Sequence, residues 1–253
     1  MINIKPLKAF SDNYIWLLES NEDISVVDPG DAKPVLDYLE NKNKNLVDIF
    51  ITHHHFDHTA GVPELISKIS GSVYGPKNSY ELIRDKVTEG DIISSLGMNF
   101  EVIEVPGHTL DHIAFFNKEN NILFCGDTLF AGGCGRVFEG TFDQMFDSLN
   151  KLKKLPESTQ IYCGHEYTKS NLVFSIGVEP ENSDLVLRNS EIDSLIMKNG
   201  SSLPSSIELE KKTNPFLRCD LLGDNIQLMQ RFGLKNPSEK EIFTYIREWK
   251  DSA

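Results

Sequence analysis

Ile51-Thr52-His53-His54-His55-Phe56-Asp57-His58 constrains the chain more than any other stretch. It places four of the 7 histidines and one carboxylate within six residues. Chance does not explain that density, and a solvated polar loop does not require it. Leu46-Val47-Asp48-Ile49-Phe50 precedes it, apolar and β-prone enough to predict a buried strand. Alternate side chains of an extended chain point the same way. His53 and His55 therefore share a face, and Asp57 continues the row if the chain stays extended. His54 points away and is not expected to be a ligand. His58 falls where Thr59-Ala60-Gly61-Val62-Pro63-Glu64 can begin a helix.

These donors exceed what one tetrahedral ion takes at its ~2.0 Å bonds to histidine nitrogen. Two metals side by side are the simplest arrangement, with His53 and His55 on one and Asp57 and His58 on the other.

Further donors follow along the chain, each where a predicted strand ends. Asp28 closes Ile24-Ser25-Val26-Val27. It is either a turn-forming acid or an acceptor that orients a metal-bound imidazole. A helix is expected over Lys33–Asn41, and Pro63–Ser70 should continue the helix after the histidine loop. Asn99 to Val105 alternates cleanly and runs into Pro106-Gly107-His108-Thr109, which supplies His108. His112 has no vacancy to fill and is expected to hold its loop by a hydrogen bond. A hairpin over Ile113–Cys125 delivers Gly126-Asp127-Thr128. Asp127 is either a cap or a carboxylate bridging both metals. A helix over Asp143–Leu155 precedes the strand Gln160–Cys163, which delivers His165. Two ligand sets then close: His53, His55 and His108; and Asp57, His58 and His165, with Asp127 shared.

Composition narrows the partners. A formal charge of -13 argues against nucleic acid, because such binding rests on Lys and Arg neutralising phosphates. No apolar run approaches the ~20 residues of a membrane span. The N-terminal residues lack a secretory pattern. The 4 cysteines form no Cys-x-x-Cys pair and read as reduced thiols of a cytoplasmic protein. After about Ser170 the chain turns helical, with helices expected over 184–198, 207–212, 226–232 and 238–251.

The ordered motifs His-x-His-x-Asp-His, Pro-Gly-His-Thr, Gly-Asp-Thr-Leu-Phe and Cys-Gly-His-Glu-Tyr resemble the metallo-β-lactamase superfamily. Ser11-Asp12-Asn13-Tyr14, Gly133 to Thr141 and a tail with Thr213-Asn214-Pro215-Phe216-Leu217-Arg218 and Arg247-Glu248-Trp249-Lys250-Asp251 narrow the resemblance. They are similar to glyoxalase II, the hydroxyacylglutathione hydrolases.

That resemblance implies an α+β fold, a four-layer αββα sandwich over residues 1–170 with a small all-α substrate-binding domain over 171–253. It implies thioester hydrolysis of S-(2-hydroxyacyl)glutathione, chiefly S-D-lactoylglutathione, the second step of methylglyoxal detoxification. The hydroxide would bridge two divalent ions, zinc first, with iron or manganese also suited. Catalytic weight would fall on Asp57, Asp127 and Asp28. Arg136, Phe138, Tyr167, Arg247 and Lys250 would hold glutathione, the last two by its glycine carboxylate. A monomer with a small-molecule partner is expected. A glutathione persulfide dioxygenase with one iron is the alternative, and it leaves Asp57, His58 and His165 without a task.

Overall fold

The structure is a computed structural model that describes residues 2–77 and 80–253. Met1, Asn78 and Ser79, all within the expected first domain, lie outside the described residues. Two compact units are distinguished. The first takes the chain up to Glu104, then Asp111–Gly126 and Tyr162–Glu166; the second takes Val105–Leu110, Asp127–Ile161 and Tyr167–Ala253.

The first unit begins with β1 (Asn3–Ala9), β2 (Asn13–Ser20) and β3 (Asp23–Val27), then α1 (Ala32–Lys42) and β4 (Asn45–Phe50). Two short helices follow, α2 (Phe56–Thr59) and α3 (Val62–Leu65), then β5 (Val73–Pro76) and β6 (Asp85–Val87). These six strands form one sheet in sequence order. The first three are antiparallel, and β3 to β6 are parallel. β7 (Ile92–Ser95), β8 (Met98–Glu104), β9 (Ile113–Asn117) and β10 (Ile122–Gly126) form an antiparallel run of a second sheet.

Period-2 alternation divides the first sheet's side chains between two cores. Ile15, Leu17, Ile24, Val26 and Ile49 pack with Ala32 and Val35 of α1 and Val62 and Leu65 of α3. Phe50 faces the other way and meets Phe100 and Phe115 of the second sheet, ring centroids 5.5 and 5.2 Å away. One carboxylate, Asp48, is buried between the sheets. Burying a charge is costly unless it is hydrogen-bonded. Here Ser95 Oγ donates to Asp48 Oδ2 (2.5 Å) and the Ser72 amide to Oδ1 (2.9 Å).

The helix expected over Pro63–Ser70 stops at Leu65. The chain is then drawn back to the sheet: the Ser70 amide donates to Leu46 O (3.0 Å) and the Gly71 amide to Val47 O (2.9 Å). Those bonds to β4 compete with further helical turns and win.

The second unit holds a two-stranded ribbon, β11 (Leu129–Phe130) and β12 (Gly133–Cys134), and α4 (Phe142–Lys153). β13 (Gln160–Cys163) runs across the division: Gln160 and Ile161 pair with β14 (Ser205–Ser206), and Tyr162 and Cys163 belong to the first unit. The remaining helices are α5 (Thr168–Val178), α6 (Ser183–Asn199), α7 (Ile207–Thr213), α8 (Ile226–Phe232) and α9 (Glu239–Asp251). Apart from α5 they match the expected tail helices within a residue or two.

Sequence reasoning missed α5 because its buried face is polar. Asn171 Nδ2 donates to Ala131 O (3.0 Å) and Ser175 Oγ to Gly132 O (2.9 Å). Asn214 Nδ2 donates to Gly133 O (2.9 Å), and Glu210, fully buried, accepts from the Gly132 amide (2.7 Å). The glycine loop is thus held by side chains reaching its backbone.

Candidate metal centre

Parallel pairing of β3 and β4 brings Asp28 beside the histidine loop. Val27 pairs with Phe50, and the Asp28 amide donates to Phe50 O (2.8 Å). Asp28 sits in the left-handed region at φ 51°, uncommon for a residue with a side chain. The turn aims its buried carboxylate inward, where it accepts from the Thr52 amide (2.7 Å) and Thr52 Oγ1 (2.7 Å).

These bonds fix two histidine tautomers. A carboxylate only accepts, so His58 Nδ1 carries the proton it gives to Asp28 Oδ2 (3.1 Å). The Thr52 hydroxyl spends its one proton on Asp28 and therefore accepts from His53 Nδ1 (3.0 Å). The Nε2 atoms of both rings are left as lone-pair donors to a cation. His53 Nε2 lies 3.2 Å from His55 Nδ1, so the shared face expected of these two residues is present.

Asp57 does not continue that row. The chain turns helical at Phe56, with the His58 amide donating to His55 O (3.0 Å) and the Ala60 amide to Phe56 O (2.8 Å). Asp57 and His58 therefore stand on α2. The turn passes so close to Gly30 that a Cβ there would lie 1.8 Å from the Asp57 carbonyl oxygen. His54 points elsewhere, its Nδ1 3.1 Å from Asp111. His112 is buried and stacks on His53, centroids 4.6 Å apart and planes at 17°.

Asp57 reaches His165 from its helical turn. Asp57 Oδ2 lies 3.3 Å from His165 Nε2 and 3.5 Å from His58 Nε2. His165 Nδ1 donates to Asp12 Oδ1 (2.7 Å), which fixes its tautomer as Asp28 fixes that of His58. Asn13 Nδ2 donates to Asp57 Oδ2 (2.9 Å). Burial raises the Asp57 carboxyl, and the Asn13 amide, donating to Oδ2, works against that rise.

Three acceptor atoms thus converge. Separations near 3.3 Å are what a tetrahedron with ~2.0 Å bonds gives along its edges. This donor set fits a divalent cation. Asp12 and Asn13 were not singled out as functional from sequence. Only their proximity in space to His165 and Asp57 gives them a role.

The second unit carries the other expected ligands. His108 Nδ1 donates to Arg136 O (2.7 Å), and His108 Nε2 lies 3.6 Å from Asp127 Oδ2. Both residues are buried. Phe138 is 61% exposed and its ring meets His108 edge-on at 5.3 Å. Tyr167 packs edge-on against Phe130 at 5.2 Å.

The three cationic residues expected to hold glutathione stand together but differ in exposure. The Arg136 side chain is 53% exposed, and its Nε donates to Asp251 Oδ1 (3.1 Å). The Arg247 side chain is 4% exposed; it donates to Cys134 O (3.0 Å) and to Asp251 Oδ1 (2.9 Å). Lys250 donates to Asn171 Oδ1 and lies over the Phe174 ring at 5.6 Å. Burial pushes the Lys250 amine down to about 8, with the neighbouring Arg247 charge adding to the fall.

Comparisons with known proteins agree with this chemistry. The family model of the metallo-beta-lactamase superfamily matches residues 10–165, and that of the hydroxyacylglutathione hydrolase C-terminus matches 166–253. The chain is 50% identical to the hydroxyacylglutathione hydrolase of Pseudomonas syringae pv. syringae, covering 99% of each. It is 43% identical to that of Nitrosomonas eutropha, covering 100% of this chain and 99% of the relative. Among solved structures, ETHE1 from Myxococcus xanthus superposes with a TM-score of 0.66 at 25% identity, covering 94% of this chain and 93% of that one. The BLEG-1 B3 metallo-beta-lactamase superposes with a TM-score of 0.65 at 21% identity, over 86% of this chain and 99% of that one, which shows the fold. The chain therefore belongs to the metallo-β-lactamase superfamily, with its α+β fold, and within it to the hydroxyacylglutathione hydrolase family.

Proposed function

We propose that the protein hydrolyses the thioester of S-(2-hydroxyacyl)glutathione, chiefly S-D-lactoylglutathione, to glutathione and D-lactate. The observation that carries this reading is the convergence of acceptor atoms from Asp57, His58 and His165, with the histidine protons turned outward to Asp28 and Asp12. The match to the hydroxyacylglutathione hydrolase C-terminus supports the substrate class.

Two divalent ions, zinc first, are part of the proposal. His53, His55 and His108 would hold one and Asp57, His58 and His165 the other, with Asp127 shared. Such ions supply a Lewis acid and a water whose pKa falls to about 7. Asp28 and Asp12 keep the ligand imidazoles in the tautomer that exposes Nε2. Arg136, Arg247 and Lys250 supply positive charge for the glutathione carboxylates, and Phe138 and Tyr167 supply apolar surface. The departing thiolate requires no acid, since thiol pKa values are near 8.5. A cysteine nucleophile is not needed: Cys134 is buried, and burial pushes its thiol pKa up.

In the same proposal residues 1–170 form the hydrolytic segment and 171–253 the substrate-binding segment. The protein is then a cytoplasmic monomer with a small-molecule partner. Among the described residues no helix is long and apolar enough to cross a membrane.

Comparing S-D-lactoylglutathione with a small thioester lacking carboxylates tests the substrate class. Two charge-assisted contacts at ~1.5–3 kcal/mol each predict kcat/KM at least ~10²-fold higher for the glutathione thioester. Equal values would contradict the assignment. The lowered Lys250 pKa adds a pH dependence. The amine is charged below about 8 and neutral above it, so attraction for a carboxylate is present at low pH and lost as pH rises through that value. In a kcat/KM profile, which reports the free enzyme, the glutathione thioester should show this falling limb and the small thioester should not. Lys250→Arg should remove it.

A further inference from the structure

Ser11-Asp12-Asn13-Tyr14 contains none of the proposed ligands, yet it clasps two of them. Asn13 and His165 form an isolated antiparallel bridge. The Tyr14 amide donates to Gly164 O (2.8 Å) and the Glu166 amide to Asp12 O (2.9 Å). The side chains then divide the work. Asp12 Oδ1 accepts from His165 Nδ1 (2.7 Å). Asn13 Nδ2 donates to Asp57 twice, to Oδ2 (2.9 Å) and to the backbone carbonyl (3.3 Å).

We propose that Asp12 and Asn13 are positioning residues for one cation of the pair, the one held by Asp57, His58 and His165, and that they set its affinity independently of the other. The inference deepens the two-metal proposal and rests on it.

The outer partners of the imidazoles are unequal. His53 is oriented by the neutral Thr52 hydroxyl, while His58 and His165 are oriented by carboxylates. A carboxylate partner raises the basicity of a ligand imidazole and locks its ring. Asp28 cannot act on one cation alone, because it holds His58 directly and His53 through Thr52. Asp12 touches only the His165 side. Its side chain is 34% exposed, against 3% for Asp28. Replacing it therefore removes a charge at the rim without opening the core. The backbone bridge survives such a change, since both of its bonds are made by main-chain atoms.

The test is a titration of metal-free wild type, Asp12→Asn and Asn13→Ala with Co²⁺, followed by d–d absorption and calorimetry. Melting of the metal-free proteins is measured alongside. Wild type should take two ions. Each variant should keep one at wild-type affinity and bind the other roughly 10–100-fold more weakly, with metal-free melting unchanged. Variants that bind both ions as tightly as wild type would overturn the proposal. So would variants that lose both ions equally and melt lower when metal-free, since that marks a purely structural role. A wild type that takes no ion would overturn the two-metal proposal itself, a result distinct from both.

Discussion

Asp57→Ala should hydrolyse S-D-lactoylglutathione roughly 10³-fold more slowly than wild type. Metal-assisted charge stabilisation contributes several kcal/mol, and each 1.36 kcal/mol is tenfold in rate. Asp57 supplies a carboxylate oxygen that lies 3.5 Å from His58 Nε2 and 3.3 Å from His165 Nε2. Without it the two imidazoles lose the negative partner that makes the cluster attractive to a cation. His54→Ala is the control. His54 is a neighbour in sequence but is turned to Asp111, so its loss should leave metal content intact and the rate within about twofold, in line with the ±0.5 kcal/mol of most surface changes. A large metal loss in His54→Ala would break the assignment of faces in the loop, and full metal content with full rate in Asp57→Ala would remove Asp57 from the site.

Arg247→Ala carries the second large effect, and it has two parts. Arg247 is nearly fully buried, donates to the Cys134 carbonyl and Asp251, and lies over the Phe216 ring at 5.3 Å. Removing it leaves the buried Cys134 carbonyl without this donor, a loss of about 1–3 kcal/mol, while Asp251 keeps Arg136 as a partner. At ~2–4 °C per kcal/mol for a chain of this size, melting should fall by roughly 5 °C. The second part is substrate affinity. Losing a charge-assisted contact raises KM for the glutathione thioester roughly tenfold to a hundredfold, with less effect on kcat, as expected for uniform binding. The small thioester should be unaffected at temperatures where the variant is folded. Arg247→Lys should not restore either property, because an ammonium cannot reproduce the planar fork. Lower melting with an unchanged KM would make Arg247 a structural residue and would remove a main support for glutathione recognition.

The strands were legible where an apolar run met a turn residue. β4, β10 and β13 each read as such a run closed by a polar or glycine-containing loop, and the donors stand in those loops. The pairing of His53 with His55 was legible because it needs only local alternation. The grouping of Asp57 with His58 and His165 was legible, but its position on a helical turn was not, because the switch from extended chain to α2 depends on how the turn lies against Gly30. The role of Asp12 beside His165 gave no local signal: the two residues are 153 positions apart. The burial of Arg247 was not legible, because a charge near a helix C-terminus is ordinary at a solvated end. Its burial comes from the ribbon and the Pro215–Leu217 turn, and no periodicity within α9 encodes those.

Metal content measured together with thioesterase activity tests the central claim most directly. A two-metal thioesterase should carry about two transition ions per chain as purified, lose S-D-lactoylglutathione hydrolysis when a chelator removes them, and recover it when a divalent ion is restored. One tightly bound iron with oxygen consumption on a glutathione persulfide would contradict that claim, as would undiminished hydrolysis by the fully metal-free chain.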